Sequence, residues 1–237
     1  MRDTGRLAIV FLALASSCLA TTTWDVVANF NSPNNGSASS VFSYGSGTTP
    51  GAFATMSTNT QNCFGTPTYC DTSGGSFPTT AAFIWNGTAG NIAPSGSTSQ
   101  PNTEVYIDPQ NSGSILRFTA PVTGVYAVSG TFFALDSSHH TTDGSVYANG
   151  VLKMGPSALT TFGTTASINL SGLSLTAGQT IDFIVDDSPS DASNDATGLS
   201  ATITNTVPEP GSFALVGGAL GLAGLLRLRG RGARVAR

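Results

Sequence analysis

Carboxylates dominate the chemistry this sequence offers, and they gather in two places. Between Asp186 and Asp195, four carboxylates (Asp186, Asp187, Asp191, Asp195) and the amide of Asn194 fall within ten residues. Hard oxygen donors held that close repel one another unless a cation sits among them, which is the chemistry of a Ca²⁺ site; the spacing is not that of an EF-hand, and the competing reading is a solvated polar loop. A second stretch, Asp136 to Asp143, holds both histidines of the chain, His139 and His140. Two imidazoles and two carboxylates are zinc donors, but adjacent histidines point apart in extended backbone and structural zinc takes four well-placed ligands, so an exposed polar loop is expected. The third set is aromatic: Trp24, Tyr44, Tyr69, Trp85, Tyr106 and Tyr147 include flat faces on which a sugar ring could stack. Aromatics in strands more often pack into a core, and alternation puts Phe83 and Trp85 on one face, so at least one of those two is expected to be buried.

Acid–base chemistry has little to work with. Glu104 is the one glutamate between residues 21 and 206, and glycoside cleavage would need it paired across a cleft with an aspartate such as Asp108 or Asp136. No serine-centred elbow, phosphate loop, dinucleotide fingerprint or metalloprotease helix is present. The expectation is a non-enzymatic protein; a polysaccharide-active hydrolase or lyase and a purely structural envelope protein are the alternatives.

The elements that must position these residues read as strands. No window carries the three-four spacing of an amphipathic helix, whereas period-two alternation recurs between turn signals. Short strands are expected at Trp24 to Phe30, Val41 to Tyr44, Ala52 to Met56 and Ala81 to Trp85. The later half is clearer: Ser114 to Ala120 puts Leu116, Phe118 and Ala120 on one face and Ile115, Arg117 and Thr119 on the other, and Gly124 to Leu135 puts Tyr126, Val128, Phe132 and Ala134 on one side, with a bulge or bend expected at Gly130. Ser145 to Ala148 and Val151 to Met154 flank Asn149-Gly150, a two-residue hairpin signal in which both positions take positive φ. Ile168 to Leu175, Thr180 to Asp186 and Leu199 to Asn205 complete the set. Regularly spaced antiparallel strands with long connections argue for an all-β antiparallel sandwich of jelly-roll type. Cys63 and Cys70 bracket a short loop and are expected to form a disulfide; metal thiolates would need a second cysteine or histidine pair nearby.

Charge and the chain ends place the domain. Residues 21–206 carry two cations, Arg117 and Lys153, against eleven acids, a net charge of −9. Nucleic acid and anionic lipid surfaces are therefore poor partners for this body. Arg2 and Arg6 precede an uncharged stretch from Leu7 to Ala15, the pattern of a secretory signal peptide over residues 1–20 with cleavage after Ala20; Cys18 leaves lipidation as a second reading. At the other end, Val207-Pro208-Glu209-Pro210 precedes an uncharged run over 211–226, read as a transmembrane helix, and then Arg227, Arg229, Arg231, Arg234 and Arg237 in the basic stretch 227–237. The run is short for a span, where roughly 20 residues are usual, and it contains Gly217 and Gly221 at small-xxx-small spacing.

Pro208, Glu209 and Pro210, followed by a short apolar helix and a terminal arginine cluster, resemble the PEP-CTERM sorting signal of exported bacterial proteins. That resemblance covers residues 207–237. It implies recognition by a membrane-embedded exosortase and delivery to the surface or extracellular polymer matrix of a Gram-negative cell. The stretches Phe118 to Tyr126, Val146 to Gly150, Gly178 to Phe183 and Asp195 to Leu199 also resemble jelly-roll modules of bacterial surface proteins, many of which bind carbohydrate. That resemblance covers the half from Leu116 to Thr204 and implies contact with extracellular polysaccharide.

Overall fold

The computed structural model describes residues 19–30, 35, 37, 39–75, 77, 80–94, 97–138, 142–187 and 195–208. It divides into two units, Thr22–Asn205 and a second made of Met1–Thr21 with Thr206–Arg237, of which 19–21 and 206–208 are described. Residues 1–18 of the expected signal peptide with Cys18, Glu209 and Pro210, the run 211–226 and the basic stretch 227–237 lie outside the described residues. Among the described residues no helix is long and apolar enough to cross a membrane.

Fourteen strands are described: β1 Leu19–Asp25, β2 Phe42–Ser46, β3 Ala54–Thr55, β4 Thr58–Gln61, β5 Thr68–Thr72, β6 Ala82–Asn86, β7 Val105–Asp108, β8 Ser114–Thr119, β9 Gly124–Ala134, β10 Thr142–Ala148, β11 Val151–Leu159, β12 Thr165–Leu175, β13 Thr180–Asp187 and β14 Thr197–Pro208. They form two sheets, one ordered β12-β9-β14-β7-β6-β5-β4 with β1 pairing β14, the other β11-β10-β13-β8-β2-β3. β12 pairs β9, β10 pairs β11 and β13, β13 pairs β8 and β14 pairs β7, each antiparallel. From β7 to β14 the chain changes sheet at every connection except the β10–β11 hairpin, which is how an antiparallel sandwich winds when its connections are long.

Alternation explains why the later strands form where they do. Leu116 and Phe118 on β8, Tyr126, Val128 and Phe132 on β9, Ile181, Phe183 and Val185 on β13, and Leu199, Ala201 and Ile203 on β14 all meet in one core between the sheets. Each fully buried Phe or Ile in it contributes roughly 1.5–3 kcal/mol relative to exposure. Asn149 (φ 48°) and Gly150 (φ 75°) make the expected hairpin turn.

Three expectations need correction. Gly130 is no bulge: β9 pairs Ile168 with Gly130 in regular register, and the glycine is needed because a Cβ there would strike the Ser200 carbonyl and Ala201 of β14. The irregularity lies opposite, on β12 between Leu170 and Leu173, around Gly172 at φ 69°. The strand expected over Trp24 to Phe30 ends at Asp25, whose Oδ1 accepts the N–H groups of Val27 (2.9 Å) and Ala28 (2.8 Å) and so turns the chain. β11 runs through Pro156 to Leu159, because it is an edge strand, where a missing N–H costs no ladder bond.

Three strands escape the alternation rule. β5, β6 and β7 belong to a part of their sheet whose outer face is also covered, whereas β4 at the edge stays exposed. There Cys70, Ile84, Tyr106, Leu135 and Ala196 make a second, smaller core with Phe64, Phe77, Ile92 and Phe133 packed against it. β7 is buried at every position, so it shows no polar face. The Cys63–Cys70 disulfide closes the loop between β4 and β5 beneath this cover.

Candidate functional site

The register of β10 against β13 joins residues that are far apart in sequence. It sets Asp143 opposite Asp186, Ser145 opposite Ile184 and Tyr147 opposite Asp182. Val146, Phe183 and Val185 point into the core, so the odd-numbered partners on β10 and the even-numbered ones on β13 stand on the outer face of the sheet. Directly opposed residues sit about 4.5–5.5 Å apart at Cβ. An outward cup of about 400 Å³ results, lined by Thr48, Asp143, Ser145, Tyr147, Pro156, Ile184, Asp186 and Asp187.

Local backbone shapes this cup. Gly155 at φ +91° lies so close to β10 that a Cβ would strike the Gly144 carbonyl and crowd the Ser145 hydroxyl, and β10 shifts register between Gly144 and Val146. That approach brings Pro156 to the rim. Ile184 is buried and forms an apolar floor. Ser145 is 8% exposed, and its hydroxyl has no hydrogen-bond partner among the described residues. Burial raises the Asp186 carboxyl above the usual carboxylate range, opposed by its bond from the Asp187 N–H and reinforced by the charges of Asp187 and Asp143. Neither of the body's two cations lines the cup. Arg117 is engaged elsewhere: its Nε donates to Asp182 Oδ1 at 2.6 Å, and its guanidinium lies 4.2 Å from the Phe53 ring centroid.

A second depression, about 540 Å³ and more open, runs beside β6. Asp25, Val27, Ala28, Trp85, Asn86, Gly87, Asn102, Thr103 and Ser200 line it. Phe83 is fully buried and Trp85, on the same face of β6 but nearer its end, is half-buried. The indole rests beside Phe30 (6.5 Å, near-parallel) and Tyr69 (5.7 Å), and its benzo edge occupies the space a side chain at Gly87 would fill. Asn86 organises the rim: its amide donates to the Gly90 and Gln100 carbonyls, and its Oδ1 accepts the Thr88 N–H and hydroxyl. Asn102, donating to the Thr88 carbonyl at 3.1 Å, and Thr103 are exposed beside it.

The residues picked out from sequence divide between these places and the interior. Asp143, Asp186, Asp187 and Tyr147 meet in the cup. Asp195 is buried away from it, and Asp191, Asn194, His139 and His140 lie outside the described residues. Among the described residues no group of three His, Cys, Asp or Glu is placed to hold a metal. Trp24 packs on Phe118 and Tyr126, Tyr44 on Phe30 and Phe83, and Tyr106 on Phe77, all as core. Glu104, Asp108 and Asp136 line neither depression. Burial raises Glu104 to about 7 and Asp108 to about 6, the latter opposed by donors on Gln110 and Tyr106 and raised further by the Asp136 charge. Asp136 accepts from the Ser97 hydroxyl at 3.0 Å and the Ser138 N–H at 2.8 Å. Sequence reasoning missed Asn102, Thr103, Thr48 and Pro156; only the Asn-Thr pair carries a signal, as polar residues in a Pro-bounded loop.

No family model matches the sequence, and no curated protein matches it. Among solved structures, the chain is similar to CBM51 from Clostridium perfringens GH95 in complex with methyl-galactose (11% identity, 42% of this chain and 68% of that one, TM-score 0.33). It is also similar to a family 35 carbohydrate binding module from Clostridium thermocellum (16% identity, 42% and 76% covered, TM-score 0.29) and to an Arthrobacter globiformis isomalto-dextranase complexed with panose (14% identity, 79% and 33% covered, TM-score 0.30). With every TM-score below 0.5, the chemistry of the site stands on its own geometry.

Proposed function

We propose that this chain is an exported, non-catalytic glycan-binding protein of the bacterial surface or extracellular matrix, and that the groove at Trp85 seats a neutral sugar. One observation carries the reading: a half-buried indole lies in an open groove of about 540 Å³ among the exposed Asn102 and Thr103, the half-exposed Ser200 and Asp25. A sugar ring presents C–H groups on its faces and hydroxyls at its edge. The indole covers the former and the amide, hydroxyl and carboxylate groups exchange hydrogen bonds with the latter, a few polar groups around an aromatic platform. Binding is favoured over cleavage because the carboxylates a hydrolase would use are buried and, at Asp108 and Asp136, already hydrogen-bonded within the protein. The tail supplies the address: Pro208, Glu209 and Pro210, the span 211–226 and the arginines of 227–237 are read by an exosortase-type enzyme and hold the chain in the membrane until processing.

A glycan array followed by calorimetry on neutral oligosaccharides tests the groove. Trp85→Ala is expected to weaken binding by about tenfold or more, the scale of roughly 1.4 kcal/mol or above for a lost aromatic platform. Because Trp85 also touches Phe30 and Tyr69, the exposed Asn102→Ala is run beside it and is expected to weaken the same ligand. Absence of any neutral glycan ligand, or affinity unchanged in both variants, overturns the reading. Deletion of 207–237 that leaves the protein as firmly retained at the cell surface as before overturns the sorting assignment.

A further inference from the structure

We propose that the cup on the opposite sheet is a second binding site, selective for a sugar bearing a free amine, the ammonium seated between Asp143 and Asp186. This goes beyond the groove and does not depend on it. Three features point to the ligand. First, strand register rather than loop chance places Asp143 against Asp186; two like charges on one wall, with no lysine or arginine lining the cup, favour a cation and repel a uronate. Second, the Ser145 hydroxyl, in a residue 8% exposed, opens on the cavity with no hydrogen bond to the described residues, and so can meet a ligand hydroxyl or ammonium. Third, the cup is built for more than an ion.

That third point separates an ammonium sugar from bare calcium. A cavity of about 400 Å³ lies within the roughly 300–1,000 Å³ range of small-molecule sites. Its lining mixes the carboxylates with the Tyr147 ring, the Ile184 floor and the Pro156 wall, which suit the carbon skeleton of a pyranose. Calcium takes six to eight oxygen ligands, roughly, and gains nothing from these apolar walls. An ammonium needs three acceptors, and the carboxylates supply them with charge-assisted bonds.

The test is calorimetry of the full chain with glucosamine oligomers, with their fully N-acetylated counterparts of equal length, and with CaCl₂ alone. Free-amine oligomers are expected to bind about tenfold or more tighter than the acetylated ones, with affinity falling as salt rises. Asp143→Asn combined with Asp186→Asn is expected to remove that preference, and Tyr147→Ala, on the outer face, to weaken both oligomers without erasing the preference for the amine. A neutral oligomer bound at Trp85 should fail to displace the amine ligand, which keeps the fate of the two sites separate. Equal affinity for free and acetylated oligomers, an amine preference that survives the double variant, or displacement of the amine by micromolar calcium would each overturn the proposal. Should the double variant not fold, Asp143→Asn alone, at a half-exposed position, carries the same expectation and the same refutation.

Discussion

Glu104 offers a quantitative check on the interior of the fold. Its residue is 8% exposed, its Oε2 is buried without a hydrogen-bond donor, and a side chain at Gly198 would collide with that oxygen. Burial lifts its pKa from 4.5 to about 7. The folded state therefore holds a proton that the unfolded state has released. Below pH 4.5 both states are protonated and the residue carries no penalty; as pH rises to 7 the unfolded chain ionises first, and stability is lost until both states are charged. A shift of about 2.5 units at 1.36 kcal/mol each is about 3 kcal/mol. Glu104→Gln keeps the shape and removes the titration. Urea unfolding followed by tryptophan fluorescence at several pH values is the assay. The variant and the parent should have similar stability near pH 4, and the variant should be the more stable by about 3 kcal/mol at pH 8. The parent keeps a further slope from Asp108, raised to about 6, in both proteins, so the difference between them isolates Glu104. A difference that does not change with pH would show that Glu104 is solvated in the native state, and the reasoning would fail.

Two further outcomes follow from buried groups. Arg117→Ala strands the fully buried Asp182, which accepts from Arg117 Nε at 2.6 Å and from the Thr180 hydroxyl at 3.0 Å; thermal or urea melts should show a loss of about 3–5 kcal/mol, while replacing both partners with Met and Leu should cost much less. Cys63→Ser with Cys70→Ser releases a seven-residue separation and should lower stability by about 2 kcal/mol, a change that reducing agent reproduces in the parent and does not produce in the variant.

How far the sequence could be read depended on which faces of each strand are covered. β9 and β14 have one wetter and one dry face through most of their length, and β8 and β13, though largely buried, keep most of their polar residues on one face, so their inward residues, Leu116 to Ile203, stood out by alternation, and Asn149-Gly150 announced its hairpin. β5 and β7 are covered on both faces by the small core around Ile84 and Tyr106, and a four-residue strand such as Val105–Asp108 then has no period to detect. The candidate sites were half legible for a related reason. Asp186, Asp187, Asp143 and Tyr147 were each visible as residue types, but what joins them is the register of β10 on β13, a pairing across some forty residues that no single strand encodes. Trp85 was visible too, yet its groove is completed by Asn102 and Thr103 from a loop and by the turn after Asp25.

The placement of acids argues that their number is not merely for solubility. A protein that uses carboxylates only to stay dispersed would scatter them over convex surface. None of the ten described acids is placed that way. Asp71, Glu104, Asp108, Asp136, Asp182 and Asp195 are buried, while Asp143, Asp186 and Asp187 line the cup and Asp25 lines the groove. Among the buried ones, Asp182 is matched by Arg117, Asp136 by Ser97 and Ser138, and Asp108 by Gln110 and Tyr106, so the fold supplies donors where it takes charge out of water. In the cup no lysine or arginine plays that part. Asp143 and Asp186 stand opposite each other across two strands, a repulsion that a positively charged ligand would relieve.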